Sequence, residues 1–220
     1  MRGARPGAPG TGPWSRTAAA AVVSTAPAHR VFPPRARGAV PRVVDRVPTR
    51  DRVVFLVFDD GAGTDPRFAG LVRALRLPVS VFLTGGVPGP GRDHFGELRA
   101  LGAGIQNRTL TRPFLPGLGP VAQHAEICGQ RDRVKGRFGT APRLLSPPYG
   151  AYDAGTLRAA GACGIDAIVL GRAHDDRGPL RPGDIIHTHA AAPSLTRTTT
   201  RLLARIRARH LKVARLESYL

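Results

Sequence analysis

The stretch VVFLVFDDG, residues 53–61, decides the fold. Six apolar residues run without a polar interruption and stop at two adjacent carboxylates and a glycine. A short continuous run of this kind, rich in β-branched and aromatic residues, predicts a strand buried on both faces, as in a parallel sheet covered by helices. The Asp59-Asp60 pair after it reads in two ways. It is a turn with an aspartate cap for the next helix, or it is a site where one carboxylate holds a metal while its neighbour takes a proton from water.

Working outward, strand and helix patterns alternate. Residues 66–78 place Phe68, Leu71, Val72 and Leu75 at helical spacing and stop at Pro78. VSVFL (79–83) is a second strand, FGELRALG (95–102) a short helix capped by Asp93, and GIQN (104–107) a third strand. A helix over 120–139, a short strand at 143–146, a helix over AGTLRAAGACG, strands at 165–170 and 183–189, a last helix and a strand at 212–216 complete the series. About seven strands, each followed by a helix, predict stacked βαβ units and a barrel-like parallel sheet. Such folds put chemistry at the C-terminal ends of strands. The residues to interrogate are therefore Asp59-Asp60, Asn107-Arg108, Ser146 to Gly150, and His187 to His189.

The chain has 220 residues and a net charge of +18, almost all from arginine, since Lys135 and Lys212 are the only lysines. Residues 1–50 carry nine arginines and one acid, Asp45. That segment is Pro/Gly/Ala-rich without hydrophobic periodicity, which predicts a disordered basic tail ahead of a domain at 51–220. Its weak apolar run before Ala26-Pro27-Ala28 has the outline of a secretory signal, and a plain low-complexity tail fits as well. Export or the cell envelope is the expected location, with the cytoplasm left open. No run is long enough for a membrane span. Few aromatics alternate with the basic residues, which argues against nucleic acid. Cys128 and Cys163 lack C-x-x-C spacing, which argues against a structural zinc site built on cysteine; they fit one disulfide or two buried thiols. His94, His124, His174 and His210 read as solvated.

At the strand ends the chain resembles the polysaccharide deacetylases, the nodulation-type domain of carbohydrate esterase family 4. VFDDG (57–61) is similar to that family's Thr/Ser-Phe-Asp-Asp-Gly motif. QNRTLTRP (106–113) stands where the family has Asn-His-Thr-x-x-His-Pro, SPPYG (146–150) where it has Arg-x-Pro-Tyr-Gly, and GDIIHTH (183–189) where it has Gly-Asp-Ile-Ile/Val-Leu-x-His. The matches come in family order. The resemblance implies a distorted (β/α) barrel, a divalent metal such as zinc, and removal of N-acetyl groups from a peptidoglycan- or chitin-like polysaccharide. It implies Asp59 as general base, Asp60 as metal ligand, His189 as general acid, a Tyr149 backbone group at the oxyanion, and substrate contacts from Pro148, Tyr149, Gly150 and His187.

The departures are as specific as the matches. Arg108 and Arg112 occupy the places of the two metal-binding histidines, and a guanidinium offers no lone pair. Ser146 replaces an arginine, His187 replaces a leucine, and Gly171 falls about where a tryptophan is usual. Asp60 alone does not make a catalytic zinc site, which takes three protein ligands, so weak metal binding and an impaired enzyme are expected. A non-catalytic carbohydrate-binding module is the alternative. A rewired site of Asp60, His187 and His189 is a third reading. We further expect Arg108 or Arg112 to form a salt bridge with Asp60 and so fill the metal's place.

Overall fold

The computed structural model describes residues 22–25, 32, 36, 38–60, 62, 65–86, 91–173, 178–188 and 194–220. Among the described residues nine strands form one sheet: β1 (Arg42–Val44), β2 (Val53–Phe58), β3 (Val79–Leu83), β4 (Gly104–Asn107), β5 (Leu144–Leu145), β6 (Ala167–Val169), β7 (Arg172–Ala173), β8 (Ile185–Thr188) and β9 (Lys212–Val213). Their order is β1-β6-β5-β4-β3-β2-β8-β7, with β9 beside β2. Every strand pair is parallel. The helices are α1 (Pro66–Leu75), α2 (Gly91–Ala100), α3 (Pro120–Phe138), α4 (Ala154–Ala162) and α5 (Leu195–Ala208). This is the expected distorted (β/α) barrel, open between β1 and β7. An antiparallel bridge joins Arg46, just after β1, to Asp184, just before β8.

The six-residue run of β2 explains itself in this setting. Val53, Phe55 and Val57 face an interior cluster with Phe82, Val169 and Ile185, whereas Val54, Leu56 and Phe58 pack under α1, α2 and α5. Both faces are apolar because both are covered. A third cluster joins Ile127 of α3 and Ala159 and Ala160 of α4 to Leu145 and Ile168 of the sheet. The chain end closes the interior: Leu216, Tyr219 and Leu220 belong to the inner cluster, and the Tyr219 ring meets Phe55 edge-on at 5.0 Å.

Two expectations are corrected. The sheet begins inside the segment read as a tail, because Arg42–Val44 pairs along β6 from Ala167 to Val169. Upstream of it, Val22 is buried in the helix-side cluster and Val23 bridges to Val213. Polar neighbours and prolines hid β1, whose edge position tolerates them. Asp93 lies inside α2, which starts at Gly91, so it is not that helix's cap. The two-residue β7 is too short to leave a sequence signal.

Candidate active site at the barrel mouth

β2 and β3 run side by side, with Phe58 opposite Val81. The inward alternation of Phe55 and Val57 carries on to Asp59, which is 8% exposed. Asp60 turns the other way and meets the end of β3. Its Oδ1 accepts the Thr84 backbone N–H at 2.8 Å, and its Oδ2 accepts the Thr84 hydroxyl at 2.7 Å. Burial pushes the Asp60 carboxyl above its ordinary value, Thr84 pulls it back, and the charge of Asp59 adds to the rise. Thr84 is the partner of Asp60 that the sequence reading missed. It directly follows a strand, so the strand-end rule itself pointed to it.

The segment after β4 is a tightly held loop. Buried Asn107 donates from Nδ2 to the Ile127 carbonyl of α3 at 2.8 Å and accepts the Thr109 N–H on Oδ1 at 2.8 Å. Thr111 gives its N–H and hydroxyl to the two oxygens of Glu126 at 2.9 and 2.7 Å. Thr109 and Arg112 take φ values of 68° and 64°, left-handed backbone that non-glycine residues adopt only where surroundings hold it.

Arg108 leaves this loop into the mouth and is 3% exposed. Its Nη1 lies 3.2 Å from His187 Nε2 on β8. A guanidinium can only donate, so His187 accepts on Nε2 and carries its ring proton on Nδ1. Arg108 Nε is buried without an acceptor. Burial lowers the Arg108 pKa, Asp59 opposes that fall, and nearby Arg112 adds to it. Arg112 itself is exposed. Among the described residues neither guanidinium forms an ion pair with Asp60. The expected salt bridge is therefore corrected. Thr84 satisfies both Asp60 oxygens from the adjacent strand, while Arg108, two strands away, reaches β8 instead.

Ser146, buried, directly follows β5, and Pro148–Gly150 forms a 3-10 turn. Tyr149 there has φ 59° and is 70% exposed, while Pro148 is buried. A cavity of about 370 Å³ is lined by Arg108, Ser146, Tyr149, Gly150, Gly171 and His187, among others. The segments QNRTLTRP, SPPYG and GDIIHTH thus meet at one place. Gly171 takes φ 63°, left-handed backbone that suits glycine, and lies in van der Waals range of His187. His189 lies outside the described residues.

These residues do not fit the metal. Asp60 is the one carboxylate left of the expected ligand set, the two histidine positions carry arginines that offer no lone pair, and Arg108 sets a buried cation on the imidazole nitrogen that a rewired site would need. Among the described residues, the one group of three potential ligand atoms lies elsewhere, on α3 and at the end of α4.

Residues 46–168 match the family model described as polysaccharide deacetylase, more than half of the chain. The chain belongs to the polysaccharide deacetylase family. An uncharacterized protein of Streptomyces coelicolor is 48% identical over 194 residues, 82% of this chain and 78% of its own length. A chitooligosaccharide deacetylase of Bradyrhizobium is 27% identical over 135 residues, 60% of this chain and 61% of its own. Among solved structures, a carbohydrate esterase family 4 pseudoenzyme from Bacillus anthracis superposes with a TM-score of 0.71 at 15% identity, covering 80% of this chain and 68% of that one. A mutant of it with restored enzymatic activity matches equally well, at TM-score 0.71 and 16% identity over 80% of this chain and 70% of that one. At such identities the likeness speaks for the fold. Polysaccharide deacetylases act on N-acetylated polysaccharides and are generally metal-dependent.

Proposed function

We propose that this chain is a polysaccharide deacetylase directed at N-acetylated cell-wall or chitin-like polysaccharide whose zinc-dependent hydrolysis is impaired. The observation that carries the reading is the buried Arg108 guanidinium against His187, at a position where the family pattern has a metal-binding histidine. The remaining parts keep their chemistry. Asp59 is a buried carboxylate at the mouth, suited to take a proton from an attacking water. Tyr149 and Gly150 present a turn beside the cavity. His189 is assigned the general-acid role from its motif alone. An exported or cell-envelope location accompanies this reading, supported by the basic N-terminal segment and by a Cys128–Cys163 disulfide.

The test is reversion. With added zinc or cobalt, the double variant Arg108→His, Arg112→His deacetylates an N-acetylated oligosaccharide at least about 100-fold faster than the wild type, because a metal-bound water supplies several kcal/mol of transition-state stabilisation. The Bacillus anthracis pseudoenzyme whose mutant regained activity supports the design of that test. Equal rates in the two proteins would show that the arginines do not disable the site.

The second reading, a non-catalytic carbohydrate-binding module, is favoured by exposed Tyr149 at the cavity rim, a ring able to stack on a sugar face. Sedimentation with insoluble peptidoglycan or chitin separates the two. A binding module binds at wild-type strength and gains no turnover on reversion.

A further inference from the structure

Away from the barrel mouth, His124 and Cys128 sit four apart on α3 and therefore on one face, a single turn from each other. Cys163 caps the C-terminus of α4 and is joined to Cys128, with Cα atoms 5.1 Å apart. His124 Nε2 stands 3.3 Å from Cys128 Sγ, and all three ligand atoms lie within 4.8 Å of one another. A disulfide explains the two cysteines. It does not explain an imidazole nitrogen directed at one of their sulfurs.

We propose that this cluster is a redox-gated site for a thiophilic d10 cation, zinc in the first instance, closed when the disulfide is formed and open when it is reduced. Tetrahedral zinc with sulfur at about 2.3 Å and nitrogen at about 2.0–2.1 Å holds its ligand atoms about 3.5–3.8 Å apart. The His124–Cys128 pair is already near that separation. Breaking the sulfur–sulfur bond lets the two cysteines relax apart toward it, a movement of side chains on two packed helices. The chemistry balances with a low-molecular-weight thiol as reductant. Two small thiols supply two electrons and two protons, leave as their own disulfide, and give two protein thiols. Metal binding then releases those two protons to solvent and leaves two thiolates, a neutral imidazole and the dication, a set without net charge.

Burial fits the role. Cys163 is buried, Cys128 is half-buried and His124 is exposed, so the site has a fixed floor and an open fourth position for water or another ligand. The disulfide form offers no thiolate, and a thiolate rather than a bonded sulfur is what holds such a metal. The site is independent of the carboxylates and of Arg108, so it stands whatever the barrel mouth does.

The experiment uses the full chain, oxidised and after treatment with a dithiol that is then removed without air. Each form is titrated with Co2+ and, in competition, with Zn2+. The expected result is one equivalent of Co2+ with thiolate-to-metal charge-transfer absorption in the reduced protein only, displaced by Zn2+, with two protons released per metal. His124→Ala lowers the affinity of the reduced protein at least about ten-fold, and the double variant Cys128→Ser, Cys163→Ser shows no charge-transfer band. Circular dichroism of the reduced, metal-free protein shows retained helix. The proposal is overturned by a reduced protein that unfolds, by one that gives no charge-transfer band, or by a His124→Ala variant that binds as tightly as the wild type.

Discussion

At the scale of single residues, Thr84 carries more of the site than its position in the chain announces. It meets both oxygens of a half-buried carboxylate with a backbone N–H and a hydroxyl. Thr84→Val keeps the shape and removes one donor, which leaves the Asp60 carboxylate with an unmet oxygen at a cost of about 1–3 kcal/mol at neutral pH. The sign with pH follows from Asp60 being raised above 3.8. A carboxyl raised in the folded state gives a stability that is full below the unfolded pKa and is lost as pH rises through the folded one. The variant raises it further, so urea unfolding shows a wide gap from wild type at pH 7 and a narrow one in acid. A gap that widened in acid would mean that the hydroxyl matters for another reason. The identities of Asp59, Asp60, Arg108 and His187 as residues of one site were legible from their strand-end positions. The partners were not, because Thr84 lies 24 residues from Asp60 and Arg108 lies 79 from His187, and only the sheet order brings them together.

At the scale of elements, one carboxylate serves two helices. Asp65 accepts the Arg67 N–H at the start of α1 through Oδ1 and the Thr196 N–H at the start of α5 through Oδ2. Burial would raise its pKa, but the hydrogen bonds from Thr196, Arg67 and Ser194 together hold it below the ordinary carboxylate value. Its stabilisation is therefore present above the unfolded pKa and lost as pH falls through the folded one. Asp65→Ala costs about 1–2 kcal/mol at pH 7, and its difference from wild type shrinks as pH drops below about 4. Amide exchange at the first turns of both α1 and α5 speeds up; acceleration at α1 alone would show that the link to α5 is idle. The capping role that the sequence offered to Asp59-Asp60 falls to Asp65, whose place before Pro66 and an apolar period was a legible signal. Its second duty was not, since local spacing says nothing about a helix that starts at Leu195. For the same reason β2 was legible throughout its length as a run apolar on both faces, and β3 as a run broken only by Ser80, whereas β1 was legible only through its partner β6.

At the scale of the molecule, the chain's end finishes the barrel. The Tyr219 hydroxyl donates to Asp51 Oδ2 at 2.8 Å, just before β2, while its ring fills the interior floor. Burial and the Asp51 partner push the Tyr219 pKa up to about 12 from 10.0. A phenol raised in this way stabilises the fold fully below pH 10 and loses that contribution as pH climbs toward 12. The wild type is expected to lose on the order of 1–2 kcal/mol across that interval. Tyr219→Phe, weaker by about 1 kcal/mol at neutral pH, lacks this particular alkaline loss. With only three tyrosines and two lysines in the chain, few other groups confuse the measurement. Identical alkaline profiles for the two proteins would remove Tyr219 as the cause.

The loop after β4 keeps its shape through Asn107, Thr109, Thr111 and Glu126, and neither arginine side chain contributes to that framework. Positions 108 and 112 are thus sockets in a fixed mount. A histidine tolerates the left-handed backbone at 112 better than most side chains do. Exchange at these two positions alters what the mouth can bind without asking the barrel to refold around it. A protein with this scaffold stands two substitutions, Arg108→His and Arg112→His, from the histidine pair of the family pattern.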